Sequence, residues 1–262
     1  MKNSWIVSVM VSVSIYTVLA GALQTITLSR PDISLIGTKI WRNESNCSLD
    51  KLVWWNVGER FPSLGICHFI WFPANHQESF TETFPLLLRF LRNNGVQLPA
   101  WLATIPPCPW KSREAFFADR KTIRMQSLQT LLANTIELQT GFIIQRLRDA
   151  LPTLTKNLSV REKVENNFAL LARTPQGMYA LIDYTHFKGE GTNPNERYNG
   201  QGWGLLQVLE NMRVPTRRQN PLQEFVASAR KLLTVRVFNS PPERNEKKWL
   251  AGWHKRVAGY VG

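Results

Sequence analysis

Residues 180–209, ALIDYTHFKGEGTNPNERYNGQGWGLLQVL, contain the pattern that best indicates the fold and the site of this chain. The apolar first third has no helix breaker, and Lys188-Gly189 follows it, which predicts a helix that ends there. Glu190 then lies at the C-terminal edge of that helix. An Asn-Pro-Asn step and three closely spaced glycines predict a turn that brings the backbone back beneath the helix end: Gly200, Gly202 and Gly204.

The side chains around this turn suit the recognition of a sugar chain. Tyr198 and Trp203 offer flat faces for sugar rings, and Gln207 can donate to and accept from one hydroxyl or acetamido group. A carboxyl that apolar neighbours such as Trp203 shield from water keeps its proton near neutral pH and can protonate a leaving glycosidic oxygen. We therefore predict a catalytic role for Glu190 and substrate contacts for the other three residues.

An earlier segment, residues 40–72, repeats this plan. Glu44-Ser45 ends a short predicted helix near residues 40–46, and one or two strands are predicted before Pro73. Glu59 lies between the predicted helix and the predicted strands. The run SLGICHF then places Ser63 and His68 where they can orient a carboxyl or contact a substrate.

These two segments resemble the lysozyme-like superfamily. GEGTNPN followed by GWGLLQV is similar to the signature of lytic transglycosylases and goose-type lysozymes, in which a helix-end Glu precedes a Gly-Leu-Met-Gln turn. SLGICHF resembles the Thr-Ile-Gly-Tyr-Gly-His run of phage-type lysozymes, whose helix-end Glu lies near the chain start. The chain departs from these patterns at three positions: Gly191 replaces Ser, Leu206 replaces Met, and Cys67 replaces Gly.

The resemblance implies a mainly helical α+β fold, a lysozyme-like domain with a small β-sheet. It also implies that Glu44 and Glu190 face one groove and that one of them is the acid/base of a glycosidase or lytic transglycosylase. Glu59 is then a partner carboxyl, oriented by Ser63 or His68. Hydrolysis commonly uses two carboxyls, whereas a transglycosylase manages with one because a hydroxyl of the substrate attacks.

Further helices are predicted along the chain from local patterns. TFPLLLRFLRNNG predicts a helix with Pro85 in its first turn, and apolar residues recur at helical spacing over residues 121–151. Ser159 and Glu162 match a capping box that would open a helix through about Arg173. PLQEFVASARKLLTVRVF predicts an amphipathic helix.

The N-terminus predicts export. Residues 1–22 have one early lysine, an apolar run and an Ala-Gly-Ala step, which is the layout of a secretory signal or an uncleaved anchor. We predict a single lysozyme-like domain over residues 35–262. The predicted location is the periplasm or the outside of the cell, with attachment to the inner membrane if the segment is retained.

The charge predicts a polyanionic partner. The formal net charge is +13, and residues 211–262 hold eleven Lys and Arg against three Asp and Glu. For an exported protein, peptidoglycan or a related glycan, anionic wall polymer and membrane headgroups are nearer partners than nucleic acid. We predict that this basic C-terminal third holds such a polymer near the groove.

Two other functions fit the same residues. A non-catalytic glycan-binding or wall-scaffolding protein would have the same groove but would not cleave the glycan. An exported thiol hydrolase would use Cys67 with a distant histidine such as His186. The spacing of Cys47, Cys67 and Cys108 fits one disulfide with a spare thiol, or three small buried side chains, better than a zinc site, and we predict neither a metal nor a cofactor.

Overall fold

The structure, a computed structural model, describes residues 28–76, 81–156, 159–213 and 220–261. The predicted export segment, residues 1–22, lies outside these ranges. Ten α-helices and a small antiparallel sheet are found in the described part of the chain, so the prediction of a mainly helical α+β fold is confirmed. In chain order the helices are α1 (Arg30–Ser45), α2 (Phe84–Asn93), α3 (Arg113–Ala118), α4 (Ile123–Asn134), α5 (Ile136–Thr155), α6 (Arg161–Ala172), α7 (Pro175–Lys188), α8 (Leu205–Asn211), α9 (Pro221–Asn239) and α10 (Lys247–Ala258).

The strands are short and follow α1. Three of them form an antiparallel sheet in chain order, in which Val53 pairs with Leu64 and Ser63 pairs with Ile70. Two more form a hairpin ahead of α8. The strands are β1 (Val53–Trp54), β2 (Ser63–Leu64), β3 (Phe69–Ile70), β4 (Arg197–Tyr198) and β5 (Gln201–Gly202).

Helix α1 is longer than the short helix predicted near residues 40–46. It begins at Arg30, because Ser29 and Asp32 form a reciprocal capping box and a proline lies in the first turn. It ends at Ser45, where Asn46 adopts a left-handed conformation with a φ of 53°. Glu44 therefore lies in the last turn, as predicted, and α1 packs against α5 and α7.

One hydrophobic core joins the sheet and the helices. It contains buried side chains from Ile36 on α1 to Tyr260 after α10. An aromatic cluster beside the sheet includes Trp71, which is fully buried and lies 6.0 Å from Trp110 between ring centroids. In the described ranges, no helix has the length and apolar character that a membrane crossing requires.

The predicted helical region over residues 121–151 is two helices. The break falls at Thr135, whose backbone leaves the helical conformation at the end of α4. The buried amide of Gln139 then donates to the carbonyl of Leu132 at 2.7 Å, which satisfies an acceptor that the end of α4 leaves open. Apolar spacing alone does not show this break, because both helices bury the same face.

The predicted capping box at Ser159 and Glu162 is wrong. The residue that precedes α6 is Val160, and no side chain caps the helix there. Thr174 does cap the next helix, since its hydroxyl accepts from the backbone N–H of Gly177, and Pro175 opens α7. The Thr-Pro-Gln-Gly run thus separates the two helices and also starts the second one.

Gln139 also fixes the hairpin loop of the sheet to the helices. Its Oε1 accepts from the backbone N–H of Ile66 at 3.0 Å, and a Cβ at Gly65 would lie 2.4 Å from that oxygen. Gly65 has a φ of 72°, so glycine is required there for space and for conformation. Gly65 and His68 have positive φ angles, whereas Cys67 does not, which is why the chain tolerates cysteine where the phage-type pattern has glycine.

We expect Gln139→Leu to lower the free energy of unfolding by about 1–3 kcal/mol, because it leaves the N–H of Ile66 and the carbonyl of Leu132 buried without partners. Urea denaturation measures this difference. Gln126→Leu on the exposed side of α4 is the matched control and should change stability by less than about 0.5 kcal/mol. Equal losses in the two variants would show that Gln139 does not join the loop to the helices.

Candidate functional site

Three cavities that share lining residues lie side by side between the three-stranded sheet and the C-terminal end of α7. Their volumes are about 460, 320 and 540 Å³, within the range typical of ligand sites. His68 lines the first and the second cavity. Thr185 and His186 line the second and the third. We call these three neighbouring cavities the groove.

The sheet end of the groove holds three of the predicted site residues. Glu59, Ser63 and His68 line the first cavity. Ser63 is buried on β2, whereas Glu59 and His68 are exposed. His68 has a φ of 52° in the loop between β2 and β3, a conformation that costs energy for a residue with a side chain. The structure thus brings the predicted Glu59, Ser63 and His68 together.

A larger cavity of about 980 Å³ lies beyond Glu59, between the segment that contains Val57 and the loop around residues 107–114. It shares Glu59 with the sheet end of the groove. Of the three predicted carboxyls, only Glu59 lines it, and Glu190 does not. Each cavity of the groove is smaller, but Glu59 and Glu190 both line the groove, so it is the better candidate site.

The middle of the groove lies where the hairpin loop meets α5 and α7. Cys67, His68, His186 and Glu190 line it. His186 is open to the groove, yet the walls around it displace water and lower its pKa, against the opposing charge of Glu44. A neutral imidazole in this position can accept a proton or a hydrogen bond from a substrate hydroxyl.

The thiol of Cys67 is poorly suited to nucleophilic attack. It is buried, and its pKa is raised well above the ordinary value by that burial and by the negative charges of Glu44 and Asp183. Because the thiolate is the nucleophile, this environment opposes the thiol-hydrolase alternative. All three cysteines are free thiols, so none of them forms the disulfide that their number allowed.

Glu190 follows α7 at the position predicted, after Gly189 ends the helix. The chain turns back beneath it as predicted, since Leu205 donates to the carbonyl of Gly189 and Leu206 to that of Glu190, both at 3.0 Å. A Cβ at Gly204 would lie 2.3 Å from the backbone of Gly191, so only glycine permits this close approach. The predicted shielding by Trp203 is wrong, because Glu190 is exposed to solvent.

Gln207 holds the turn together. Its Nε2 donates to the carbonyl of Gly191 at 3.0 Å, and its Oε1 accepts from the N–H of Gly204 at 3.0 Å. Both polar ends of the amide are therefore engaged within the protein. The structure gives Gln207 a scaffolding contact in place of the predicted contact with a sugar.

Tyr198 and Trp203 lie in the third cavity, as an aromatic wall. Their rings are 4.7 Å apart between centroids, and the guanidinium of Arg236 lies 4.1 Å from the Trp203 ring. Tyr198 precedes an Asn-Gly hairpin turn with positive φ at both residues, which fixes its position on β4. Trp203 is 6% exposed, so Tyr198 presents more of its face to the groove than Trp203 does.

Glu44 lines none of the three cavities; it lies in an ion-pair network, and its charge acts on Cys67 and His186 of the middle cavity. Its carboxylate accepts from Arg256 at 3.0 Å and exposes 23% of its side chain. Arg256 also donates to both carboxylate oxygens of Asp183, at 2.9 and 2.8 Å, and this raises the pKa of Arg256. Asp183 thus holds Arg256 by two bonds, and Glu44 holds it by one.

Asp183 is the residue that the sequence reasoning missed. It is 3% exposed on α7 and also accepts from the hydroxyl of Tyr260 at 2.5 Å. Its place inside the apolar run ALIDYTHF was the available signal, because a carboxylate on a buried helix face needs charged partners. The same network includes Tyr179, whose hydroxyl contacts the amide of Asn43.

In the described ranges, no three His, Cys, Asp or Glu side chains are grouped as a metal site would require. Three kinds of comparison with known proteins were made. No protein-family model, no curated protein and no solved structure matches this chain.

Proposed function

We propose that this chain is a glycosidase that cuts peptidoglycan or a related cell-wall glycan, as a hydrolase or a lytic transglycosylase. The observation that carries the proposal is the groove, which combines an extended cavity, aromatic walls and several carboxyls. Glu59 and Glu190 line it, and the charge of Glu44 acts on Cys67 and His186. An extended groove fits a linear sugar chain better than a compact ligand.

Glu44 is the most shielded of the three carboxyls, and we assign it the role of acid/base. A general acid has to be partly shielded from water, because a freely hydrated carboxyl gives up its proton well below neutral pH. Glu44 is partly buried at the end of α1, whereas Glu59 and Glu190 are exposed. A lysozyme-like fold, which the two sequence segments resemble, also has its acid at a helix end.

Arg256 can release Glu44 without becoming unpaired. When the glycosidic oxygen approaches, Glu44 exchanges its one bond to Arg256 for a bond to the substrate, and Asp183 continues to neutralise the guanidinium. In its protonated form Glu44 passes its proton to that oxygen as the C–O bond to the sugar breaks, and the nucleophile that then attacks the anomeric carbon returns a proton to the Glu44 carboxylate. Water completes a hydrolysis, and a hydroxyl of the substrate completes a transglycosylation.

The basic C-terminal third supports a polyanionic partner. It exposes two large apolar side chains among its lysines and arginines, Phe238 at 87% and Trp249 at 54%. Exposed aromatic and cationic groups together suit a wall polymer or the headgroup region of a membrane. In this proposal the surface keeps the enzyme on its substrate at low salt and releases it as salt increases.

A non-catalytic glycan-binding protein is the second candidate, and the ion pair between Glu44 and Arg256 favours it. A carboxylate that is neutralised by arginine is not ready to donate a proton. Such a protein would bind the glycan in the same groove and leave it intact.

Zymography on purified peptidoglycan, followed by mass spectrometry of the products, tests the proposal. We expect clearing by the unaltered protein, with new reducing ends from a hydrolase or anhydro ends from a transglycosylase. Binding to the gel without clearing would contradict the enzyme and support the second candidate. Clearing that thiol alkylation abolishes would instead favour Cys67 as the nucleophile.

A further inference from the structure

The third cavity of the groove contains a buried lysine that the proposed reaction does not use. Lys188, the last residue of α7, is 9% exposed and lines this cavity of about 540 Å³. Its ammonium lies 3.4 Å from the centroid of the Trp253 ring and 4.1 Å from that of Phe187. Among the described residues, no carboxylate lies within ion-pair distance of it.

Burial of a lysine without a counter-ion is costly, and aromatic rings offset only part of that cost. The pKa of Lys188 is lowered to about 7, chiefly by burial and next by the positive charge of Arg236 on α9. Glu246, just before α10, raises that pKa, and Arg256 on α10 lowers it. A negative charge placed in the cavity would favour the ammonium form of Lys188 and raise its pKa.

The other charged groups of the cavity add to its positive character. Arg236 and Arg244 line it beside Lys188, and Glu196 is the one carboxylate found among its lining residues in the described ranges. Arg236 is already paired with Glu246 by two bonds of 2.7 Å. Lys188 and Arg244 therefore remain to meet a ligand.

We propose that this cavity binds a carboxylate carried by the glycan itself. This inference rests on the proposed function, because it assigns a subsite to the same substrate. Thr185 and His186 line both this cavity and the middle of the groove, so a sugar chain that passes these two residues reaches both. Tyr198 covers a sugar ring, and Lys188 and Arg244 bind its acidic substituent.

Isothermal titration of the Glu44→Gln protein, which should bind without cutting, tests the inference. Two tetrasaccharides of equal length are compared: one carries carboxylates on alternate sugars, and in the other these groups are converted to amides. We expect the acidic ligand to bind about tenfold or more tightly, since a charged hydrogen-bonded pair contributes that much. Adding Lys188→Met should reduce this difference severalfold, with Arg244 retaining the remainder, and leave the affinity for the neutral ligand within about twofold.

Lys121→Met, at an exposed position outside the groove, is the matched control and should leave both affinities unchanged. Equal binding of the two ligands by the protein that retains Lys188 would overturn this inference alone. That comparison stands even if Lys188→Met fails to fold. Absence of binding by both ligands would overturn the proposed function together with the inference.

Proton uptake gives a second readout. At pH 8 most of the free protein has neutral Lys188, because its pKa is about 7. A bound carboxylate favours the ammonium form, so binding of the acidic ligand should take up as much as about one proton, measured in two buffers of different ionisation enthalpy. No uptake by the protein that retains Lys188 would contradict its contact with the carboxylate.

Discussion

We expect Glu44→Gln to lower the rate of glycan cleavage by about 10²- to 10⁴-fold, the range that a general acid/base supplies. The amide cannot deliver a proton to the glycosidic oxygen, yet it keeps an oxygen that accepts from Arg256. Binding of the glycan should therefore persist. Release of soluble fragments from labelled peptidoglycan measures the rate, and a pull-down with the same material measures binding.

Glu190→Gln and Glu59→Gln are the matched controls, since both carboxyls line the groove and both are exposed. We expect each to lower the rate by less than about tenfold, as lost substrate contacts do. A loss at Glu190 as large as that expected at Glu44 would move the acid/base to the glycine turn. Full activity in all three variants would remove the assignment of the site.

Asp183→Ala should lower the free energy of unfolding by about 1.5–3 kcal/mol, the range for losing hydrogen bonds to a charged group. The change removes both bonds to Arg256 and the acceptor for the buried hydroxyl of Tyr260. It also leaves Glu44 as the only carboxylate in contact with Arg256 among the described residues. Urea denaturation measures the loss.

Asp50→Ala is the control for an exposed ion pair, because Asp50 lies 3.4 Å from Arg120 at the surface. We expect it to change stability by less than about 1 kcal/mol. Asp183→Asn keeps an acceptor for Arg256, and its loss of stability should lie between those of Asp183→Ala and Asp50→Ala. If Asp183→Ala lowers the free energy of unfolding no more than Asp50→Ala does, the ion pairs of Arg256 do not stabilise the structure around the groove.

Much of the secondary structure could be predicted from local patterns. The helix before Lys188-Gly189, the helix with Pro85 in its first turn and the amphipathic helix that begins at Pro221 are confirmed. In each, apolar residues recur at helical spacing, and residues that favour a helix start or end lie within one turn of its boundaries. The start of α1 was missed, although Ser29 and Asp32 carry a capping signature there.

The meeting of distant segments was harder to predict. Glu59, Ser63 and His68 were expected near the catalytic carboxyls, and the groove does bring His68 and Glu190 into one cavity. The apolar patterns of the two segments contain no information on how deep each side chain lies. Shielding of Glu190 was therefore predicted and is not found.

The roles of Gln207 and Asp183 depend on contacts that no local pattern reports. Gln207 looked available to a sugar, but its amide is engaged by two backbone groups of its own turn. Asp183 meets Arg256 across 73 positions of sequence, so only the packing of α10 against the end of α7 reveals the pair. Polar side chains in a turn or a helix can serve the fold or a ligand, and their partners decide which.

The structure of the Glu44→Gln protein bound to a glycan oligosaccharide tests the central claim most directly. The account predicts a sugar chain along the groove, with a glycosidic oxygen about 2.6–3.2 Å from the side chain of residue 44, the reach of proton transfer. A sugar chain on another face, or one that follows the groove without approaching residue 44, would contradict it.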